Sequence, residues 1–330
     1  MTKDKILVTG AAGYIGGTFT YEVIKKGFEV HGIDNFLNSN RTNIDIFSTN
    51  FPEVFHFSEI DLANENLKLK KVLNEFDPDF IVHFAGLKSV GESEEKPDLY
   101  MDNNVGSTHN LLENMKPECF FIFSSSATIY GNNPDQPLNE DSPIKATSVY
   151  GLSKIECENL IKDYAFNKGV KSICLRYFNP VGSHKEAIVV EDYLNKPNNL
   201  MPKLIEAVKN GKNTIDVYGK DYDTKDGTGE RDYIHIIDLV EGHIAAMEKV
   251  QKIENIDFFN LGTGQSTSVV ELISTFNKTN GLNIVTNFVE RRKGDIAVCY
   301  SDPNKAHNEM NWQAKLNLER MCKDSWEAVK

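Results

Sequence analysis

Short apolar runs alternate with amphipathic, charge-rich stretches through the first half of the chain. Ile6–Thr9, Glu29–Ile33, Phe55–Ile60, Phe80–His83, Phe120–Phe123 and Ser172–Arg176 read as strands, with helical stretches between them. That alternation predicts an α/β fold with a parallel, doubly wound sheet and ligands at the carboxyl ends of its strands. After Asn179-Pro180 the rhythm changes. Residues 181–213 are rich in Asn, Pro and Lys and suit a long ligand-covering segment. Ile215–Tyr218, Arg231–Ile236 and Phe258–Leu261 read as further strands, Val269–Thr279 as a helix, and Asp238 as the cap of a helix running to about Val250. The expectation is a large sheet domain over residues 1–180 and a smaller, less regular substrate lobe over 181–330.

The first strand runs into Gly10-Ala11-Ala12-Gly13-Tyr14-Ile15-Gly16, a helix follows, and the second strand closes on Asp34. Such glycines let a backbone approach a pyrophosphate at a helix N-terminus, where unpaired N–H groups and the dipole favour anions. Asp34, 24 residues beyond Gly10, is placed to accept from ribose hydroxyls and to repel a 2′-phosphate. This unit predicts a Rossmann domain that holds NAD rather than NADP.

Tyr150-Gly151-Leu152-Ser153-Lys154 supplies the reactive chemistry. Residues four apart share a helix face, so the phenol and the ammonium can address one site. A tyrosine with a pKa of about 10 needs about 4 kcal/mol in favour of its phenolate to act near pH 7. A fixed ammonium beside a cationic nicotinamide is the expected source. Ser124-Ser125-Ser126, at the end of the fifth strand, offers a proton relay. Asp61, Phe84-Ala85-Gly86 and Lys88 also fall at strand ends, whereas His83 reads as a packed or capping histidine.

Composition narrows the class. The chain has 330 residues, 40% hydrophobic and 25% charged, as in an ordinary globular protein. A formal charge of −12 without a basic block argues against nucleic acid as a partner. No apolar run approaches a membrane span. Met1-Thr2-Lys3-Asp4-Lys5 leads straight into the first strand, so no signal peptide is expected. Five cysteines without a CxxC pair read as reduced thiols in a cytoplasmic protein, with no metal site.

The ordered set of motifs resembles the UDP-glucose 4-epimerase family of extended short-chain dehydrogenase/reductases, from about Ile6 to Trp326. It comprises Thr9-Gly10-x-x-Gly13-x-x-Gly16, His83-Phe84-Ala85-Gly86-Leu87-Lys88, Ser124-Ser125-Ser126-Ala127-Thr128-Ile129-Tyr130-Gly131 and Tyr150-x-x-x-Lys154. It continues through Arg176-Tyr177-Phe178-Asn179-Pro180-Val181-Gly182, Pro197–Pro202, Asp226–His235 and Arg291-Arg292-Lys293-Gly294-Asp295. The resemblance implies that Tyr150 takes the proton of a sugar 4-hydroxyl with Ser126 as relay, while the C4 hydride passes to tightly held NAD. Lys154 would tune Tyr150 and hold the nicotinamide ribose. The 4-keto sugar then turns over with its UDP anchored, and the hydride returns to the opposite face.

By the same resemblance, the cofactor would be held by Gly10, Gly13, Tyr14, Ile15, Gly16, Asp34, Asn35, Phe36, Leu37, Asn38, Ser39, Asp61 and Leu62. Phe84, Ala85, Gly86, Leu87, Lys88, Asn103, Ser124, Tyr150, Lys154 and Phe178 complete that set. The UDP-sugar would meet Lys88, Ser126, Tyr150, Asn179, Asn198, Asn199, Leu200, Asp216, Val217, Tyr218, Arg231, Arg292, Asp295 and Cys299. Arg231 and Arg292 suit a diphosphate through their fork of donors. Cys299 would line the hexose pocket, where a small residue leaves room for an N-acetyl group and adjacent Tyr300 is an alternative wall. Helices near 97–115 and 149–168, with Leu99, Leu111, Leu112, Ile155, Leu160 and Ile161, would pair across a two-fold axis as a four-helix bundle.

Two residues depart from that family's pattern. Val149 stands where proline is usual before the tyrosine, which bears on the rigidity of that approach. Gly17 stands in place of serine after the third glycine. A nucleotide-sugar 4,6-dehydratase shares the fold and the Tyr/Lys pair, but commonly carries Asp-Glu after the serine or threonine, where this chain has Ala127-Thr128. A non-catalytic NAD-binding sensor would not need Ser126, Tyr150 and Lys154 together.

Overall fold

The computed structural model describes residues 4–186, 189, 199–292 and 294–330. In chain order the first half runs β1 (Lys5–Thr9), α1 (Tyr14–Lys25), β2 (Glu29–Asp34), α2 (Thr42–Asn50), β3 (Phe55–Glu59), α3 (Asn66–Phe76) and β4 (Phe80–His83). It continues α4 (Val90–Glu95), α5 (Pro97–Asn114), β5 (Phe120–Ser126), α6 (Val149–Lys168) and β6 (Ser172–Tyr177). The second half runs β7 (Asn179–Val181), α7 (Leu200–Lys209), β8 (Thr214–Tyr218), β9 (Glu230–Arg231), β10 (Tyr233–His235), α8 (Ile236–Val250) and β11 (Ile256–Leu261). Then follow β12 (Thr267–Ser268), α9 (Val269–Asn280), β13 (Val285–Val289), β14 (Val298–Cys299), α10 (Asn304–Met310) and α11 (Leu318–Glu327).

Seven parallel strands form the main sheet in the order β11-β6-β5-β4-β1-β2-β3. Alternate residues of each strand feed opposite layers, as the pleat dictates. Ile6, Val8, Phe80, Val82, Ile122, Ile173 and Leu175 join the core beneath α1 and α8. Leu7, Ile81, Phe121, Phe123 and Cys174 join the one beneath α3, α5 and α6. Burial on both faces is why the strands read as uninterrupted apolar runs. This is the doubly wound Rossmann sheet expected from the alternation. The order reverses between β1 and β4, which opens a crevice at their carboxyl ends.

The second half builds a smaller core from Val181, Leu204, Ile205, Val217, Tyr233, Leu272 and Phe276, with two- and three-stranded sheets around it. Several boundaries differ from those read in the sequence. Phe258–Leu261, assigned there to the smaller lobe, lies in β11 and pairs with β6 as an edge of the main sheet. Part of residues 181–213 is the regular helix α7. The run Arg231–Ile236 is broken at Asp232, whose buried carboxylate accepts from Thr263 and Gly264 N–H and from the Ser301 hydroxyl. His235, not Asp238, caps α8: its Nδ1 accepts from Ile237 N–H, while the Asp238 carboxylate receives Lys315 and Leu316 N–H.

Candidate active site

Backbone contacts as tight as these admit only glycine in the first turn. Gly10 has φ +70°, and a Cβ there would lie 2.8 Å from Ala85 N; a Cβ on Gly16 would lie 2.2 Å from the Gly10 carbonyl oxygen. α1 starts after Gly13 with no side-chain cap and no acidic residue in its first turn, so the positive end of its dipole suits an anion. Together the cradle and the helix N-terminus fit a dinucleotide pyrophosphate. The Asp34 carboxylate is held at the edge of this turn by Ala12 N–H (3.0 Å), Phe36 N–H (2.9 Å) and the Ser39 hydroxyl (2.8 Å). Asn35, Leu37 and Asp61 line an open cleft of about 510 Å³ with Glu59, Glu65 and Lys68. Asn38 is exposed, whereas Ile15 and Leu62 pack into the two cores. Tyr14 donates to the Gly182 carbonyl at 2.5 Å and ties the turn to the second half.

Across the crevice, the loop Phe84–Lys88 follows β4. Phe84 N–H donates to Thr9 O and Ala85 N–H to Thr9 Oγ1, both at 3.2 Å. Leu87 is clasped by Asn104, which accepts from its N–H (2.8 Å), donates to its carbonyl (3.0 Å) and donates to Ser153 Oγ on α6 (3.0 Å). Asn103, the residue expected to contact the cofactor, is half-buried beside it, and Lys88 is exposed. His83 is packed between Thr9 (2.7 Å) and Thr108 (3.1 Å), and burial, then Lys154, pushes it down to about 3. It is structural.

α6 buries Tyr150, Lys154, Cys157, Glu158, Ile161 and Ala165, one face at helical spacing. Lys154 donates to the Ser124 carbonyl at 2.9 Å and sits 4.7 Å from the Phe123 ring centre and 5.9 Å from that of Tyr150. A Cβ on Gly86 would lie 3.8 Å from Lys154 Nζ, so the lysine reaches the loop after β4. The serines are the last residues of β5, and the pleat puts Ser125 on the face opposite Ser124 and Ser126. Ser124 meets Tyr177 and His243 and Ser125 donates to Glu158, while Ser126 lies close enough to Tyr150 to act on its phenol. Ser126 Oγ accepts from both Thr128 N–H (3.2 Å) and Thr128 Oγ1 (3.0 Å). With both lone pairs engaged, its own hydroxyl proton is left to donate to a further acceptor.

The electrostatics differ from the simple picture of an ammonium holding the tyrosine low. Burial, with Tyr177 adding to it, pushes the Tyr150 phenol well above its ordinary value, and the Ser126 hydrogen bond opposes this. Burial pushes Lys154 down, while Cys157 and Glu158 pull it up. Protein groups alone therefore keep Tyr150 protonated; cationic charge brought by a ligand is what remains to favour the phenolate.

The second half supplies a polar wall. The Arg292 guanidinium lies 4.6 Å from the Tyr218 ring centre and its Nε pairs with Asp295 at 2.9 Å. Arg231 lies beside Cys299 in the β9–β14 register. Cys299 packs with Phe178, Ala127, Tyr130 and Leu138. Burial pushes its thiol up to about 11, so it stays neutral. Asp216 accepts from Asn287 (2.8 Å), and Val217 is inside the smaller core. Asn179 and Asn199 are exposed, and Leu200 opens α7. Asn198 lies outside the described residues. No group of three His, Cys, Asp or Glu able to hold a metal occurs among the described residues.

Sequence reasoning missed Asn104, Thr128, and Ser93 and Glu94 on α4, which accept from Tyr150 and Val149 N–H. Asn104, Ser93 and Glu94 act through hydrogen bonds to residues far along the chain, for which no local pattern exists; Thr128 bonds Ser126 two residues away and carried a hint in its place beside the serines.

A glycine-cradled parallel sheet with a Tyr-x-x-x-Lys helix at its crevice defines an extended short-chain dehydrogenase/reductase. The model of the GDP-mannose 4,6 dehydratase family matches residues 7–325. The UDP-glucose 4-epimerase of Bacillus subtilis is 42% identical over 97% of this chain and 95% of its own, and that of Haemophilus influenzae 42% over 97% and 96%. The structure of UDP-glucose 4-epimerase from Bifidobacterium longum in complex with NAD+ and UDP superimposes with a TM-score of 0.91 at 38% identity, covering 98% of this chain and 97% of that one. The UDP-Glc/GlcNAc 4-epimerase of Campylobacter jejuni does so with 0.84 at 32%, covering 98% of each. The chain belongs to the UDP-glucose 4-epimerase family.

Proposed function

We infer that this protein is an NAD-dependent isomerase that reversibly inverts C4 of UDP-hexoses. The observation that carries this reading is the meeting of Tyr150, Ser126 and Lys154 at the crevice between the glycine cradle and the arginine-bearing lobe. In this proposal Tyr150 removes the proton of the sugar 4-hydroxyl, and Ser126, donating to the phenol, steadies the charge that develops there. Lys154, fixed by the Ser124 carbonyl, keeps its ammonium beside the cofactor loop. NAD, when bound, supplies the acceptor and later the donor of the C4 hydride, together with the positive charge that favours the phenolate. Arg231 and Arg292 hold the diphosphate while the 4-keto sugar turns over. The division of duty falls near residue 180, with cofactor on one side and UDP-sugar on the other. Ala127-Thr128 after Ser126 offers no acid–base pair for a 4,6-elimination. Purified protein incubated with UDP-galactose, without added reductant, is expected to yield UDP-glucose; a 4-keto-6-deoxy product would establish a dehydratase instead.

The hexose pocket favours a broad substrate range. Tyr300 follows Cys299, the last residue of β14, and its ring is absent from the buried cluster around Cys299. A thiol leaves room that a phenol would fill. Wild type is therefore expected to interconvert UDP-GlcNAc and UDP-GalNAc as well, and Cys299→Tyr to lose that activity at least about tenfold more than activity on UDP-galactose. Coupled rate assays on both substrate pairs test this; wild type inert toward UDP-GlcNAc but active on UDP-galactose refutes it.

We propose a homodimer through α5 and α6. Leu111, Leu112 and Ile161 turn into this chain's own core, Leu160 packs against it, and Ile155 packs near Cys299. Leu99 is 42% exposed, joined on α6 by Leu152 (47%) and Phe166 (68%), which lie fourteen residues apart and so near one face. That is a narrower apolar surface than the sequence alone implied, but it still needs cover. Light scattering at micromolar concentration should give twice 37.2 kDa; a monomeric mass would exclude the bundle. A cytoplasmic site of action accords with five free, buried cysteines and with the absence, among the described residues, of any helix long and apolar enough to cross a membrane.

A further inference from the structure

We propose that Glu94 is a positioning residue that fixes the catalytic tyrosine by capping the N–H of Val149, a role no proline at that position would require. The proposal rests on Tyr150 being the proton acceptor.

The first N–H groups of a helix have no partner within it, and Tyr150 is the second residue of α6. The structure satisfies each in turn. Gly151 N–H donates to the cap residue Ser148 Oγ at 3.1 Å, and Leu152 N–H to the Ser148 carbonyl at 2.9 Å. The two others leave the helix altogether: Tyr150 N–H donates to Ser93 Oγ at 3.1 Å, and Val149 N–H to Glu94 Oε1 at 2.9 Å. Both acceptors belong to the one-and-a-half-turn helix α4. A carboxylate there also complements the positive end of α6.

α4 is itself tied to the cofactor loop. Ser89, directly after Lys88, caps it by accepting from Glu92 N–H at 3.3 Å, and Ser89 N–H donates to the buried Tyr100 hydroxyl at 3.0 Å. Tyr100 in turn donates to Glu92 at 3.0 Å, and packs with Leu87, Val149 and Tyr150. A chain of short contacts thus runs from the loop that faces the cofactor, through α4, to the backbone of Tyr150. Beside the bond from Tyr150 to Ser93, the one from Val149 to Glu94 fixes the start of α6 and so sets where the phenol stands relative to that loop.

The first helical position is where proline fits without loss, because its N–H is surplus. The preceding residue must then be extended, and Ser148 already is, at φ −132° and ψ 155°. Val149→Pro therefore deletes the donor while keeping the helix start, which makes Glu94 dispensable. This gives a test that separates positioning from general stability.

Four variants carry it: Glu94→Ala, Glu94→Gln, Val149→Pro and the Glu94→Ala/Val149→Pro double variant, assayed on UDP-galactose with bound NAD quantified in each. Glu94→Ala is expected to lower kcat about fivefold with KM moved by less than about twofold, and Glu94→Gln, which keeps a carbonyl acceptor, to retain most of the wild-type rate. In the Val149→Pro background the alanine substitution should change kcat by less than about 1.5-fold. An equal loss in both backgrounds, or no loss in either, overturns the proposal. Should the proline variant fail to fold, Glu94→Gln as damaging as Glu94→Ala overturns it. Tyr150→Phe run alongside separates the two readings: activity kept there removes the tyrosine's role, whereas activity lost there and kept in Glu94→Ala removes only the clamp.

Discussion

Tyr150→Phe is expected to yield a folded protein that keeps its NAD but turns over UDP-galactose about a thousandfold more slowly or worse. The ring is 7% exposed and packs with Leu87, Tyr100 and Val149, contacts that phenylalanine preserves. What disappears is the oxygen proposed to take the sugar's proton, and a positioned proton acceptor is worth about 10²- to 10⁴-fold. Only the deprotonated phenol can accept a proton, and burial raises it, so the wild-type rate should climb with pH while the residual rate of the variant should not. Steady-state assays across pH with bound NAD quantified would check this, and near-normal turnover would remove Tyr150 from its role.

Gly16→Ala is expected to strip the protein of cofactor. The added methyl would meet the Gly10 carbonyl oxygen at 2.2 Å and the Gly10 carbonyl carbon at 2.9 Å, both backbone atoms that cannot swing aside. Gly10 is in turn pressed against the loop after β4, so relief on one side creates a clash on the other. NAD retention should fall at least about a hundredfold, with activity following it, as for other overpacked backbone contacts. Absorbance of the purified protein and titration with added NAD measure this; stoichiometric NAD at an unchanged melting temperature would show that the turn is looser than its geometry.

The sheet was legible in the sequence because burial on both faces leaves apolar runs such as Ile6–Val8 and Phe80–Val82 without polar interruptions. Partner choice was not. Phe258–Leu261 carries the same signal whichever sheet it joins, and only the packing of α8 on the main core brings it to β6. Tyr150 and Lys154 were legible because helical spacing is fixed. The three serines are chemically identical, and only the folded structure separates them, turning Ser125 to Glu158 on α6 and leaving Ser126 at the strand's end beside Thr128. Asp238 and His235 are both reasonable caps; backbone N–H groups of Lys315 and Leu316 claim the first. Glu94 carries no mark in the sequence, because its bond joins it to a backbone N–H 55 residues away.

The placement of β11 has a consequence for how the chain is made. A ribosome that has released residues 1–177 has produced six of the seven strands, with β6 presenting an unpaired row of backbone groups. That edge stays sticky until residues 256–261 emerge, after the whole of α7 and α8. The nascent chain therefore passes through an interval in which the nucleotide-binding half is nearly complete yet prone to pair with strangers. A chaperone or a second nascent copy would find it in that state, and premature termination within the second half leaves an aggregation-prone sheet rather than a smaller working domain.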